Sequence, residues 1–349
     1  MIFFTSDYCE GCHKKILQRL ITTNMEQTSG YGTDPYCAKA ASLIRAQCGN
    51  QNVDVHFLVG GTQTNLTVID AGLRPHQAVV CAQSGHIHAH ETGAVEATGH
   101  KILALPSSDG KITADQVRNL VLAHRADESM EHTSQPRMVY ISNPTELGTI
   151  YSKAELTELS ETCRELGLFL FLDGARLGYG LMCKENDLTL ADLAKLCDVF
   201  YIGGTKVGAM FGEALVISHP YLKEDFRYMI KQHGGMLAKG RLLGVQFETL
   251  FTDDLYYEIS KHALGLADRL REAIAEAGFE FYVDSPTNQV FPILPDKLLK
   301  KLGDKYAYTY QCRVSECMSA IRLCTSWATK PEQVETFCTD LMAFAREFD

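Results

Sequence analysis

The chain has 349 residues, 46% of them hydrophobic and 22% charged, and its formal net charge is -10. At roughly 100–200 residues per domain, this length predicts one large and one smaller domain. An acidic surface argues against nucleic acid and anionic membrane as the main partners. We expect no signal peptide and no membrane span, because no apolar stretch approaches the roughly 20 residues that a span needs.

The twelve cysteines are scattered without a regular framework. Cys9 and Cys12 form one C-x-x-C pair, but no second pair follows at zinc-ribbon distance. We interpret the cysteines as free thiols, which is typical of a cytoplasmic protein.

Short apolar runs rich in Val, Ile and Phe alternate with longer helical patterns in the first 250 residues. Such runs are typical of buried strands. They predict strands at residues 53–61, 78–82, 101–105, 137–142, 168–173, 198–204 and 213–218. Helices are predicted at 113–126 and 153–166, the second with a capping box of Ser152 and Glu155. This alternation predicts an α/β domain with a mostly parallel sheet.

The pattern changes after about residue 251. An amphipathic helix is predicted at 256–277. It precedes predicted strands at 279–283, 289–294 and 320–325, a helix at 296–302 and a last helix from Pro331. We therefore predict a large domain at 1–250 and a small α+β domain at 251–349.

Polar residues follow three predicted strands, and open α/β sheets bind ligands at the carboxyl ends of their strands. Gly61 and Thr62 stand between a strand and a helix, where backbone N–H groups hold phosphates. The alternative for this pair is an ordinary tight turn. Asp173 follows five apolar residues and is costly to bury without a partner. That partner is a protonated pyridine nitrogen, a helix N-terminus or Arg176.

Lys206 follows another apolar strand and the small residues Gly203, Gly204 and Thr205. Burial lowers the pKa of a lysine and makes it a nucleophile, although most lysines are solvated surface charges. A phosphate turn, a buried aspartate and a buried lysine on successive strand ends together form the set that pyridoxal phosphate (PLP) requires. No metal site, nucleotide site or hydrolytic triad would use all three, so we predict PLP as the cofactor.

The segments FLDGARLGYG, GGTQTNL, SGHIHAHETGAVE, YGTDP and IRLCTSW resemble those of the threonine aldolase and β-eliminating lyase family. These are fold-type-I PLP-dependent enzymes, and the resemblance covers nearly the whole chain. It implies a large domain with a mostly parallel sheet flanked by helices, plus a small α+β C-terminal domain. It also implies an amino-acid substrate and active sites at the subunit interfaces of a homodimer or homotetramer.

The resemblance implies a role for each matching residue. Lys206 carries the cofactor as a Schiff base, Asp173 bonds its pyridine nitrogen, and His86 stacks on its ring. The phosphate is held by Gly61, Thr62 and Thr205, with Lys231 and Arg241 as contributors from a neighbouring subunit. Substrate contacts come from Arg176, which also lies beside the cofactor, and from Ser6 and Arg322, which bind the α-carboxylate.

One position departs from the family. Threonine aldolases carry a histidine in a segment like SLENTHN, whereas residues 141–148 read ISNPTELG, which puts Glu146 in its place. A carboxylate can still accept the proton of a β-hydroxyl. We therefore predict an aldolase that cleaves a β-hydroxy-α-amino acid such as L-threonine or L-allo-threonine to glycine and an aldehyde. Because of Glu146, β-elimination or amino transfer on another amino acid stays open as an alternative.

Two further alternatives have less support. His86, His88 and His90 alternate, so on a strand they would share a face and could bind a metal, but on a turn into a helix they would diverge. We expect no metal site. A PLP-fold protein without catalysis is the other alternative, and the intact Lys206 and Asp173 argue against it.

Overall fold

The computed structural model describes residues 1–346, so the last three residues of the predicted C-terminal domain lie outside it. In this part of the chain the strands are β1 (Ile2–Phe3), β2 (Asp54–Leu58), β3 (Gln77–Ala82), β4 (Lys101–Leu105), β5 (Gln135–Ser142), β6 (Phe169–Asp173), β7 (Val199–Gly203), β8 (Glu213–Ile217), β9 (Gln289–Val290), β10 (Ile293–Pro295), β11 (Tyr306–Ala307), β12 (Thr309–Arg313) and β13 (Met318–Cys324).

The helices of the same residues are α1 (Lys14–Thr23), α2 (Pro35–Gln47), α3 (Gly61–Gly72), α4 (His86–Ala89), α5 (Ala94–Ala97), α6 (Ala114–Ala126), α7 (Lys153–Leu166), α8 (Leu177–Met182), α9 (Leu190–Leu196), α10 (Pro220–Lys223), α11 (Phe226–Gln232), α12 (Arg241–Leu250), α13 (Leu255–Glu276), α14 (Asp296–Leu302) and α15 (Pro331–Ala345). None of them is long and apolar enough to span a bilayer.

A seven-stranded sheet with the order β2-β8-β7-β6-β5-β3-β4 forms the centre of the molecule. The strand β8 runs antiparallel to β7 and β2, and the other pairs are parallel. The α/β prediction and all seven predicted strands of the first 250 residues are confirmed. The strands β6, β7 and β8 are buried throughout, because apolar clusters cover both sheet faces. In β6, for example, Leu170 and Leu172 face one cluster and Phe169 and Phe171 face the other.

The helices predicted at 113–126 and 153–166 are confirmed as α6 and α7, as is the capping box predicted for the second. The Ser152 hydroxyl accepts the N–H of Glu155, and the Glu155 carboxylate accepts the N–H of Ser152. Thr113 and Gln116 form the same box before α6. Such caps satisfy donors that a helix leaves unpaired, and each stabilises by about 1 kcal/mol.

The C-terminal part contains a smaller sheet in which β10, β13 and β12 are antiparallel and β9 also pairs with β13. The helices predicted at 256–277 and 296–302 and from Pro331 are confirmed as α13, α14 and α15. The strand predicted at 279–283 is wrong, since Phe281 makes only an isolated bridge to Pro292. Proline has no backbone N–H and cannot continue a ladder.

The first residues of the chain pack against this C-terminal part. The strand β1 pairs with β11, and Phe4 is buried in an apolar cluster with Leu294 and Ile321. The sequence analysis missed β1, β11 and the edge strand β12 because they are short or lack an apolar face. The domain division at residues 250 and 251 stays a prediction.

Candidate active site

A cavity of about 360 Å³ lies where the predicted strand-end residues meet. The strands β2, β5, β6 and β7 end at this edge of the sheet, and residues of the turns that follow them line the cavity. Eight predicted site residues line the cavity, namely Gly61, Thr62, His86, Glu146, Asp173, Arg176, Thr205 and Lys206. The structure thus brings together residues that are up to 145 positions apart in sequence, from Gly61 to Lys206.

The turn after β2 leads directly into α3, whose N-cap is Gly60 without a side-chain capping bond. Its first N–H groups are therefore available to a ligand, and the positive end of a helix dipole favours an anion there. A Cβ on Gly61 would approach the Tyr201 hydroxyl to 3.1 Å, which is tighter than ordinary contact. Thr62 is exposed at the same helix start. This arrangement suits a phosphate.

Asp173 ends β6 and is 3% exposed. Its Oδ2 accepts hydrogen bonds from the Tyr140 hydroxyl and from Nδ2 of Asn65 at 3.2 Å, and its Oδ1 accepts the N–H of Ala175 at 2.9 Å. These donors are neutral. The alternative of a salt bridge with Arg176 is wrong, because that guanidinium pairs elsewhere.

Arg176 is instead paired with Asp7, which is fully buried. The Arg176 Nε and Nη2 donate to the two carboxylate oxygens at 2.7 and 3.0 Å, and Asn288 donates to Oδ2 at 3.0 Å. Burial acts to raise the pKa of Asp7, but the charges of Arg176 and Lys206 outweigh it and leave that pKa below its usual value. The sequence analysis missed Asp7, whose partner lies 169 residues away.

Lys206 follows β7 after the turn residues Gly204 and Thr205 and is partly buried at the cavity wall. Burial lowers the pKa of its ammonium group, the nearby Arg176 charge lowers it further, and Asp7 and Asp173 oppose the shift. The net shift is downward, so a larger share of this lysine is the free amine. A free amine is the nucleophilic form that reacts with a carbonyl.

His86 begins the short helix α4 after β3. Its Nδ1 lies 2.7 Å from Oε1 of Glu91, where the ring N–H donates to the carboxylate. Nδ2 of Asn65 donates to the same oxygen at 2.7 Å and thereby links Glu91 to Asp173. Burial acts to lower the pKa of His86, but the Glu91 hydrogen bond and nearby carboxylates raise it above its usual value. Asn65 and Glu91 stand inside the matched segments GGTQTNL and SGHIHAHETGAVE, yet sequence analysis gave them no role.

Glu146 lies on the loop after β5 and faces the cavity beside His86. Its Oε1 accepts the backbone N–H of His86 at 2.8 Å and the Ser142 hydroxyl at 2.7 Å. Burial raises the pKa of this carboxyl, the Ser142 hydrogen bond opposes the shift, and the Asp173 charge adds to it. The result is a partly buried acid with a raised pKa at the position where the resemblance implies a histidine.

Four predicted residues do not line the cavity. The Ser6 hydroxyl lies 3.3 Å from the Cys9 sulfur. Arg322, on β13, donates through Nη2 to the Thr5 carbonyl at 2.9 Å and through Nη1 to Gln289 at 3.1 Å. Its buried Nε has no hydrogen-bond partner among residues 1–346.

Arg241, the third, starts α12 and donates to the carbonyls of Thr23 and Glu26 at 2.7 and 2.6 Å. Lys231 lies 5.0 Å from the centre of the Tyr31 ring. Within one subunit, neither of these two basic residues reaches the cavity of Lys206. Their predicted contact with a neighbouring subunit's phosphate stays a prediction.

Comparisons with known proteins agree with this geometry. The β-eliminating lyase family matches residues 4–297. A low-specificity L-threonine aldolase from Pseudomonas aeruginosa is 30% identical over 97% of this chain and 96% of its own length. A solved structure of Leishmania major threonine aldolase is 45% identical and superposes with a TM-score of 0.96. The match covers 99% of this chain and all of that one. The chain belongs to the threonine aldolase and β-eliminating lyase family.

The aldolase family defines the enzyme class and the cofactor: this chain is a PLP-dependent carbon–carbon lyase. The wider fold is that of the fold-type-I enzymes, since a mutant of Thermus thermophilus aspartate aminotransferase superposes with a TM-score of 0.72 at 15% identity. The cavity fits PLP. It combines an uncapped helix start for the phosphate, a lysine with a lowered pKa for the aldehyde, and a buried carboxylate with neutral donors for the pyridinium.

Sequence analysis also missed Glu213, a buried acidic residue in the wall of this threonine aldolase-like cavity. It is the first residue of β8, where an acidic side chain opens the apolar run EALVIS. That position was the only signal in the sequence, and a charged residue at a strand end is usually solvated.

Proposed function

We propose that the enzyme cleaves a β-hydroxy-α-amino acid of the L-threonine or L-allo-threonine type to glycine and an aldehyde. The observation that carries the proposal is one cavity that joins Lys206, Asp173 and Glu146. The names of the relatives support the choice of reaction, because the bacterial and fungal relatives that match 72% or more of this chain are all named L-threonine aldolases. The alternatives of β-elimination and amino transfer have no comparable support.

Each proposed cofactor contact follows from the chemistry of the residue. Lys206 attaches the cofactor, Asp173 keeps the pyridine nitrogen protonated, and His86 lies against the ring. The N–H groups at Gly61 and Thr62, with the Thr205 hydroxyl, receive the phosphate. When it is bound, PLP supplies an electron sink for the carbon bonded to the amino group.

Glu146 is the proposed base for the β-hydroxyl. Its Oε1 already accepts two hydrogen bonds, so Oε2 is the oxygen left to accept the hydroxyl proton. Cleavage breaks the Cα–Cβ bond, moves the hydroxyl proton to Glu146 and gives Cα a proton in its place, so glycine and aldehyde leave without net proton change. A raised pKa suits this task, because a stronger base takes the proton more readily near neutral pH.

Arg322 and Ser6 are the proposed binders of the substrate α-carboxylate. The unpartnered Nε of Arg322 supports this role, since a buried guanidinium N–H without an acceptor is costly. Arg176 stays the proposed neighbour of cofactor and substrate, held in place by Asp7. The guanidinium of Arg322 would have to exchange its contact with Gln289 for the substrate carboxylate.

We also propose a homodimer or homotetramer in the cytoplasm. The basic segment with Lys231 and Arg241 supports the assembly. Neither side chain reaches the cavity of its own subunit, so a phosphate that they contact would lie in a neighbouring subunit. The twelve cysteines are all free in the structure, which suits a reducing compartment.

The test is product identification with purified, PLP-loaded enzyme. We expect aldehyde and glycine in equal amounts from L-threonine, L-allo-threonine or phenylserine, and neither product from Lys206→Ala with the same substrates. A 2-oxo acid and ammonia without glycine, namely 2-oxobutanoate from either threonine or phenylpyruvate from phenylserine, would replace the aldolase proposal by β-elimination. Absence of any aldehyde from all three substrates would refute the proposal.

A further inference from the structure

Glu213 stands between the two turns that frame the cofactor site. It is 3% exposed and, as the first residue of β8, pairs with Leu58 of β2 on one side and Gly203 of β7 on the other. Leu58 leads into the turn with Gly61, and Gly203 leads into the turn with Lys206. A carboxyl group therefore lies in the cavity wall, between the proposed phosphate site and the reactive lysine.

The carboxyl group is bound to the turn that carries Lys206. Its Oε2 accepts the backbone N–H of Gly204 at 3.1 Å, and its Oε1 lies 2.9 Å from the Thr205 hydroxyl. The Thr205 oxygen itself accepts the N–H of Gly212 at 3.0 Å. A hydroxyl has only one proton to donate. As long as that proton is directed to Glu213, Thr205 has none for a phosphate in the cavity.

We propose that Glu213 is a positioning residue that supports PLP binding in its protonated form, by donating to the Thr205 oxygen so that Thr205 can donate to the phosphate. The inference rests on the proposed placement of the phosphate at Gly61, Thr62 and Thr205. Protonation reverses the direction of one existing hydrogen bond and leaves the Gly204 and Gly212 contacts unchanged. It also removes a negative charge that would repel the phosphate across a buried site.

The groups around Glu213 favour the neutral acid. Burial raises its pKa to about 8, although Thr205 and the Lys206 ammonium group oppose the shift. Asp173, at the end of β6, adds a negative charge that raises the same pKa. Tyr201 on β7 and Tyr256 on α13 are the other titratable groups that interact with it, and burial raises the pKa of both well above the usual tyrosine value. A bound phosphate would add one more negative charge.

The test compares PLP affinity of the wild type and Glu213→Gln across pH. Glutamine mimics the protonated acid, because its amide N–H can donate to Thr205 while its oxygen accepts from Gly204. Dissociation constants for PLP and for pyridoxal, which lacks the phosphate, are measured by equilibrium dialysis. Above the pKa of Glu213, we expect the wild type to lose PLP affinity relative to E213Q by up to about tenfold per pH unit, until it binds PLP as weakly as a protein without the Thr205 donor. For pyridoxal, the ratio of the two constants should stay flat.

The pyridoxal measurement separates the phosphate from effects through Lys206, since both aldehydes attach to that lysine. Parallel PLP curves for the two proteins, or the same divergence with pyridoxal, would overturn the role of Glu213. A wild type that binds neither aldehyde would overturn the cofactor site itself, and this inference with it.

A second variant keeps the test independent of how E213Q folds. Thr205→Ala removes the proposed phosphate donor and leaves the acid in place. We expect T205A to bind PLP more weakly than the wild type at low pH, and the gap to close as Glu213 ionises and Thr205 stops donating to the phosphate. A gap of constant size over the whole pH range would contradict the proposal.

Discussion

Gly203 donates its backbone N–H to the carbonyl oxygen of Gly174 at 2.9 Å, which joins the end of the strand before Lys206 to the turn after Asp173. A Cβ on Gly203 would overlap the Ala175 carbonyl, and a Cβ on Gly174 would overlap the Tyr201 carbonyl. The two clashes are with backbone atoms, which cannot rotate away. Glycine at both positions is therefore what lets the lysine and the aspartate share one cavity.

Gly203→Ala should lower the free energy of unfolding by about 2 kcal/mol or more, because overpacking against fixed backbone forces β6 and β7 apart. Gly265→Ala is the matched control, since a Cβ there meets nothing within 4 Å in the middle of α13. It should raise the free energy of unfolding by about 0.5–1 kcal/mol. Urea unfolding of both variants measures the difference, and equal stability of the two would contradict the packing argument.

Asp7→Asn should cost about 3–5 kcal/mol of unfolding free energy, because it leaves the buried Arg176 guanidinium without a counter-charge. Arg118→Ala removes an arginine from the exposed pair with Glu165 and should change stability little. Chemical denaturation near neutral pH gives both values. A D7N protein as stable as R118A would show that the Asp7–Arg176 pair does not stabilise the fold.

The same pair predicts a pH dependence. The folded-state pKa of Asp7 lies below its usual value of about 3.9, so the carboxylate form stabilises the fold above that pH. The stabilisation is lost as pH falls through the folded pKa. The stability difference between wild type and D7N should therefore be full at neutral pH and shrink in acid. A difference that grew with acidity would have the wrong sign.

Glu146→Gln should lower kcat by about 100-fold or more with little change in KM, because the amide cannot take the hydroxyl proton. In the wild type, kcat should rise with pH as Glu146 loses its proton, in a range above the usual glutamate pKa because burial raises it. Ser142→Ala removes a hydrogen bond that opposes this shift, so its rise should occur at higher pH. If E146Q keeps the wild-type rate and pH profile, Glu146 is not the base.

Glu91→Gln should lower the pKa of His86, because the hydrogen bond and charge of Glu91 act with the Asp173 charge to outweigh the effect of burial. Titration of the imidazole signals by NMR measures the change directly. His56 on β2 is the control, because burial is the main cause that lowers its pKa to about 4 and the substitution leaves its surroundings intact. An unchanged His86 titration would mean that Glu91 does not stabilise the charged form of the His86 ring.

Much of the fold follows from short-range pattern. The strand β6 was predictable because five apolar residues in a row precede Asp173, and α7 because Ser152 and Glu155 form a local capping box. No strand forms at 279–283 because the segment opposite it contains Pro292. The two segments become neighbours only in the folded chain, so local pattern could not show this. Local signals identify elements well when the elements do not depend on a particular neighbour.

Local pattern was enough to predict that Lys206, Asp173 and Gly61 share one cavity, since each follows a recognisable buried strand and strand ends meet at one edge of a parallel sheet. The partners of two other cavity residues became apparent only in the folded chain: Asp7 pairs with Arg176, and Glu213 with Thr205. An ion pair or hydrogen bond between distant positions depends on how whole elements pack, and no local pattern of residues encodes that packing.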